Sequence, residues 1–179
     1  DAECIYNPLN KNEIIKKSNL KNRIKFNKNK LNLINVGRFA DQKDQITLLR
    51  AINIIKDKIN FNLLIVGKGL EKQNLINYIN KNNLSDQVRI INFQNNPFNL
   101  IKSSEVFVLT SLYEGLPNVL LEAQVLKKFI ISSICPTGPR EILLNGKAGS
   151  LFKVGDYKKL SDLILDYSKN KKKLSKKIE

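Results

Sequence analysis

The chain has 179 residues, 42% of them hydrophobic, with 31 Lys/Arg against 16 Asp/Glu and no histidine. That length suits one domain with a sizeable core, and no apolar run reaches the ~18 residues a membrane span needs. Without histidine the chain cannot supply a Ser–His or Cys–His triad or His-ligated zinc, and Cys4 and Cys135 cannot complete a four-ligand metal site. The N-terminus, Asp1-Ala2-Glu3-Cys4, has neither an initiator Met nor a signal pattern and reads as an internal cut, so a larger protein is expected. Two distant cysteines read as free thiols, which points to the cytoplasm.

Residues 1–30 show no strand–helix rhythm and read as a linker entering the domain. From Leu31 the rhythm begins. Leu31–Val36 is a predicted strand closed by Gly37, and Gln45–Lys58 has helical spacing at Ile46, Leu49, Ile52 and Ile55. Phe61–Val66 is the second strand, ended by Gly67-Lys68-Gly69. A helix follows over Leu70–Asn82, then a strand over Val88–Phe93 and a short helix around Phe98–Ser103. Val106–Thr110 is the fourth strand, Pro117–Leu126 a helix, Phe129–Ser133 the fifth strand, and Pro139 opens another helix. Lys158–Ser168 is a further helix that runs into a charged tail, 169–179. Strand and helix alternating at this pitch imply βαβ units: an α/β fold with a Rossmann-like parallel sheet over 31–168 and helices on both faces. In such a sheet ligands sit beyond the carboxyl ends of the strands, where strand order reverses.

The loop after the fourth strand is the most informative segment. It reads Ser111-Leu112-Tyr113-Glu114-Gly115-Leu116-Pro117-Asn118-Val119-Leu120-Leu121-Glu122. Pro117 suits a first helical turn, and Glu122 then lies roughly 6 Å along the axis from Asn118. The helix N-terminus between the two carboxylates is a natural seat for phosphate. One carboxylate on either side of it suits a nucleotide-sugar. The same spacing also fits a first-turn acid favoured by the helix dipole plus a surface acid, and Gly67-Lys68-Gly69 alone fits a tight turn.

Glu114…Glu122 resembles the Glu-x7-Glu signature of retaining GT-B glycosyltransferases of family 4. Val36-Gly37-Arg38-Phe39 with Lys43 resembles that family's donor-phosphate motif, and Ile65-Val66-Gly67-Lys68-Gly69 its second strand and turn. Cys135-Pro136-Thr137-Gly138-Pro139-Arg140-Glu141 resembles the stretch before the final Gly155-Asp156 segment, and Ile5-Tyr6-Asn7-Pro8-Leu9 the linker into the C-terminal domain. The five motifs stand in register over about residues 5–165.

The resemblance implies the C-terminal, donor-binding half of a GT-B fold, with an N-terminal acceptor domain of the same protein as partner. The fragment alone would bind donor without useful activity. It implies transfer of a hexose or N-acetylhexosamine from a nucleotide-diphosphate sugar, a UDP-sugar by family habit, to a glycan or lipid-linked acceptor. Arg38 and Lys43 would neutralise the leaving diphosphate, Glu114 would hold the donor sugar and Glu122 the ribose. Gly37, Gly115, Leu116, Pro117, Asn118 and Val119 would shape the phosphate turn, with Gly67 and Gly69 close by and Phe93 and Gln94 at the base pocket. No cofactor or metal is implied, and no Asp-x-Asp occurs. The alternatives are a GT-B sugar-nucleotide epimerase and a non-catalytic sugar-nucleotide or nucleic-acid binding module.

The charge of +15 sits mostly at the two ends. Residues 1–30 and 158–179 each hold eight Lys/Arg against three acids. Lysine far outnumbers arginine, and no aromatic-basic interleaving appears, so no nucleic-acid partner is expected. The lysine-rich ends suit an anionic membrane surface on the cytoplasmic face. They are expected to lie near one another, on the side of the second domain.

Overall fold

The computed structural model describes residues 9–21, 24 and 26–178; Cys4 and residues 5–8 of the entry motif lie outside them. Six strands form one sheet: β1 (Leu31–Val36), β2 (Phe61–Gly67), β3 (Val88–Asn92), β4 (Val106–Leu109), β5 (Phe129–Ser133) and β6 (Ser150–Phe152). The order is β3-β2-β1-β4-β5-β6, and every pairing is parallel. Strand order reverses between β1 and β4, so the switch point of this doubly wound sheet lies there.

The strands are nearly continuous apolar runs because both faces of the sheet are covered. Side chains alternate across it with period two. Leu33, Leu63, Ile65, Val106, Val108, Phe129 and Ile131 point to one core. Ile34, Leu64, Val66, Phe107, Leu109 and Ile130 point to the other. The first core is closed by α2 (Gln45–Ile55), α3 (Lys72–Lys81) and α7 (Tyr157–Ser175), with Tyr167 of α7 stacked on Phe129 at 4.7 Å. The second is closed by α1 (Lys11–Ser18), α4 (Phe98–Ser103), α5 (Asn118–Val125) and α6 (Pro139–Ile142). Truncating a fully buried ring such as Phe107 to Ala would cost about 3–5 kcal/mol.

Five strands match the sequence reading within a residue. Three differences have physical causes. Lys11–Ser18, inside the segment read as a linker, is a helix: Asn10 caps Glu13 N–H at 3.0 Å and Ile14 is buried in the second core. β6 is three residues long, too short for a periodic signal, and is held by pairing with β5. Pro117 lies outside α5 as its extended N-cap (φ −74°, ψ 94°), and its carbonyl accepts from Leu120 N–H.

Candidate functional site at the switch point

Three loops converge beyond β1, β2 and β4. Main-chain bonds stitch the first two together: Gly37 N–H donates to Val66, Phe39 N–H to Lys68 and Glu71 N–H to Phe39, at 2.9–3.1 Å. Glycine is needed for this approach. A Cβ on Gly67 would meet Gly37 O at 1.9 Å, and one on Gly69 (φ 151°) would meet Phe39 O at 2.1 Å. These two glycines therefore serve loop-to-loop contact. Gly115 instead has nothing within 4 Å of an added Cβ.

Lys43 and Glu114 join the loops after β1 and β4. Lys43 Nζ pairs with Glu114 Oε1, with side chains only 16% and 8% exposed. Ser111 Oγ donates to the same carboxylate oxygen at 2.6 Å, and Ser133 Oγ in turn donates to Ser111 O at 2.7 Å. Thr110 Oγ1 donates to Lys43 O at 2.9 Å. The Glu114 carboxylate is thus held by the Ser111 hydroxyl, and the main chain of Lys43 by the Thr110 hydroxyl, both just beyond the end of β4.

Gln42 forms a second bridge between these loops. Its side chain accepts from Arg38 at 3.4 Å and donates to Tyr113 O at 2.9 Å, while its carbonyl accepts from Leu112 N–H at 2.8 Å. Arg38 itself is exposed, so its guanidinium fork is open to an anion. On the far side, Thr137 Oγ1 donates to Glu114 O, and Gly138 (φ 88°) packs where a Cβ would meet Gly115 O and Pro117 Cδ at 2.5 Å. The buried thiol of Cys135 lies in this loop, raised above its ordinary pKa first by burial and then by the charge of Glu114.

α5 begins beside this cluster and carries Glu122. Burial pushes the Glu122 carboxyl up from its usual range, and no charged side chain offsets that shift. No hydrogen bond or ion pair to its carboxylate occurs among the described residues. Such a group has free acceptor capacity in a half-buried place. Leu116 and Val119 pack onto the second core, whereas Asn118 is exposed at the helix start.

Phe93 lies one residue beyond β3 and is 55% exposed, so it is not a core ring; Lys68 Nζ stands 5.2 Å from its centroid. Gln94 donates to Asn92 O at 3.0 Å. Arg38, Lys43, Glu114 and the start of α5 are thus gathered in one crevice, with Gly67 and Gly69 in its wall. Phe93 and Gln94 end the neighbouring strand. Gln42, Ser111, Thr137 and Gly138 are the members that spacing did not disclose; only Gly138, before a proline at a helix start, carried a local signal. No group of three or more metal-ligating His, Cys, Asp or Glu occurs among the described residues.

The family described as "Glycosyl transferases group 1" matches residues 16–179. An uncharacterized glycosyltransferase of Methanocaldococcus jannaschii is 46% identical over 111 residues, which cover 62% of this chain and 27% of that protein. The N-acetylgalactosamine-N,N'-diacetylbacillosaminyl-diphospho-undecaprenol 4-alpha-N-acetylgalactosaminyltransferase of Campylobacter jejuni is 30% identical over 122 residues, covering 68% and 33%. The chain thus spans about a third or less of the curated relatives it matches. Among solved structures, Anabaena HepE in complex with UDP superposes with a TM-score of 0.77 at 20% identity, covering 84% of this chain and 42% of that one. The family match covers most of the chain and the fold agrees with it: this chain belongs to the group 1 glycosyl transferases, with the Rossmann-like domain of the GT-B type.

Proposed function

We propose that this domain is the donor-binding half of a retaining family 4 glycosyltransferase of the Glu-x7-Glu type. The observation that carries the reading is the Lys43–Glu114 pair at the β1/β4 switch point, just before α5, the helix that carries the unpartnered carboxylate of Glu122. A nucleoside-diphosphate sugar laid along this crevice would meet complementary groups in order. Glu122 accepts from ribose hydroxyls, and the N-terminus of α5 faces the diphosphate. Arg38 and Lys43 neutralise the charge that develops as the diphosphate leaves, which is electrostatic stabilisation by groups already in place. Glu114 accepts from the sugar hydroxyls once Lys43 turns to phosphate. Phe93 offers an exposed ring for the base.

The relatives support a UDP-sugar donor and a lipid-linked acceptor. HepE was crystallised with UDP and with UDP-glucose. An Escherichia coli relative, 35% identical over 118 residues, is named UDP-Gal:alpha-D-GlcNAc-diphosphoundecaprenol alpha-1,3-galactosyltransferase. We assign the acceptor site to a second domain of the whole protein, which works at the cytoplasmic side of its membrane. No resident metal is part of this mechanism.

Titration calorimetry of the chain with UDP, a UDP-sugar, GDP and a short DNA duplex tests the proposal. The expected result is binding of UDP and UDP-sugar with no tight duplex binding. Tight duplex binding without nucleotide binding would overturn it.

A further inference from the structure

A second hollow lies at the carboxyl edge of the sheet, apart from the donor crevice. Four loops that leave strands wall it: Asp41 and Asp44 stand after β1, Glu71 after β2, Leu112 after β4 and Gly155 after β6. The start of α2 completes it. Its volume is about 350 Å³, within the range of small-molecule sites. The turn Asp41–Lys43 serves both places, giving Lys43 to the crevice and Asp41 to the hollow.

Polar groups of α2 stand open in its wall. Gln45 is 2% exposed and Thr47 3%, yet both line the hollow. Among the described residues the Thr47 hydroxyl has no hydrogen-bond partner. Gln45 donates Nε2–H to Arg38 O at 2.8 Å, while its Oε1 accepts from nothing. Buried polar atoms are paired in nearly every case, so two left open in one wall are places for ligand atoms. The carboxylates add capacity. Asp44 uses one oxygen on Thr47 N–H at 3.2 Å and Glu71 one on Asn74 Nδ2 at 2.8 Å, and the other oxygen of each is free. Both oxygens of Asp41 are free. Acceptors therefore outnumber donors, which are the Thr47 hydroxyl and the exposed guanidinium of Arg50, 5.9 Å from the Tyr157 ring.

We propose that this hollow binds a neutral hexopyranose ring of a glycan. Such a ring carries hydroxyl donors around its edge and C–H groups on its faces. Asp41, Glu71 and Gln45 Oε1 accept from the hydroxyls, and Arg50 and Thr47 donate to their oxygens. Half-buried Ile46 and exposed Leu112 give the C–H face an apolar surface. The charge of the wall decides against two other ligands. Three acids against one arginine repel a phosphate or a uronate. No three acids among the described residues converge closely enough to hold a metal, so the acceptors are spread around a ring rather than caged about a point charge. A sugar held there lies beside the donor crevice without occupying it. That a sugar binds rests on the hollow alone; that it belongs to the glycan being built rests on the donor reading proposed above.

Amide proton–nitrogen NMR spectra of the full chain, with UDP added to fill the crevice, test it. The probes are the methyl glycosides of glucose, galactose and N-acetylglucosamine. At least one is expected to shift the amides of Asp44, Gln45, Thr47 and Glu71 with a Kd on the order of 1–10 mM. Glucuronate should leave them unmoved. Thr47→Val removes the hydroxyl at nearly constant shape and should weaken that binding about 5-fold, and Asp41→Ala, at an exposed position, about 10-fold or more. Both variants should bind UDP as the parent does, and the shifts caused by UDP itself read the donor proposal separately. Absence of shifts at the hollow with all three glycosides up to about 100 mM would overturn the proposal. So would equal shifts by glucuronate, shifts by butylammonium in place of the glycosides, or glycoside binding untouched by both variants.

Discussion

Lys43 and Glu114 stand 71 residues apart in the chain and meet as a largely buried ion pair across the point where strand order reverses. The pair ties the loop after β1 to the loop after β4, so the crevice is held together by the charges assigned to its chemistry. Breaking one side of a buried pair strands the other charge. Lys43→Met is expected to cost about 3–5 kcal/mol of stability, and Lys43→Met with Glu114→Gln to recover much of that. Urea denaturation of the single and double variants checks it.

Glu122 predicts a trade between stability and binding. Its carboxyl is raised by burial, so the folded state holds the proton more tightly than the unfolded chain does. Stability from this group is greatest below the usual carboxylate range and is lost as pH rises to the raised value. Above that value an ionised, unpartnered carboxylate sits half-buried. Glu122→Gln should therefore raise Tm at neutral pH, and the gain should vanish as pH falls toward 4. The same change should weaken nucleotide binding. Melting curves across pH, with a UDP titration beside them, measure both.

The glycines of the crevice should separate into two kinds. Gly67→Ala puts a Cβ 1.9 Å from Gly37 O, a main-chain atom with little room to move. It should destabilise the chain by at least about 3 kcal/mol, the upper end for overpacking. Gly115→Ala meets nothing within 4 Å and should change stability by no more than about 0.5 kcal/mol. Thermal melts of the two variants distinguish these outcomes.

The layered fold was legible because apolar runs and helical spacing are local. β1 and β5 match their predicted bounds residue for residue. α1 was obscured by its own composition: six of its eight residues are polar or charged around the Ile14 that anchors it. In the site, Glu114, Glu122, Arg38 and Lys43 were visible through spacing and family likeness. Their mutual arrangement was not. Gln42 on Tyr113 and Thr137 on Glu114 are contacts between loops that only the sheet order brings together, whereas Ser111 on Glu114 closes a turn within one loop.

The central claim is that the two glutamates divide the donor, with Glu122 on the nucleoside and Glu114 on the sugar. Calorimetric affinities of the chain, Glu114→Ala and Glu122→Ala for UDP and for its UDP-sugar test it most directly. Glu122→Ala should weaken both ligands alike, by about 1.5–3 kcal/mol for each charge-assisted hydrogen bond lost. Glu114→Ala should bind UDP as well as the parent does, or more tightly because Lys43 is released to phosphate, while its UDP-sugar affinity falls. Equal weakening of UDP by both substitutions would contradict the account.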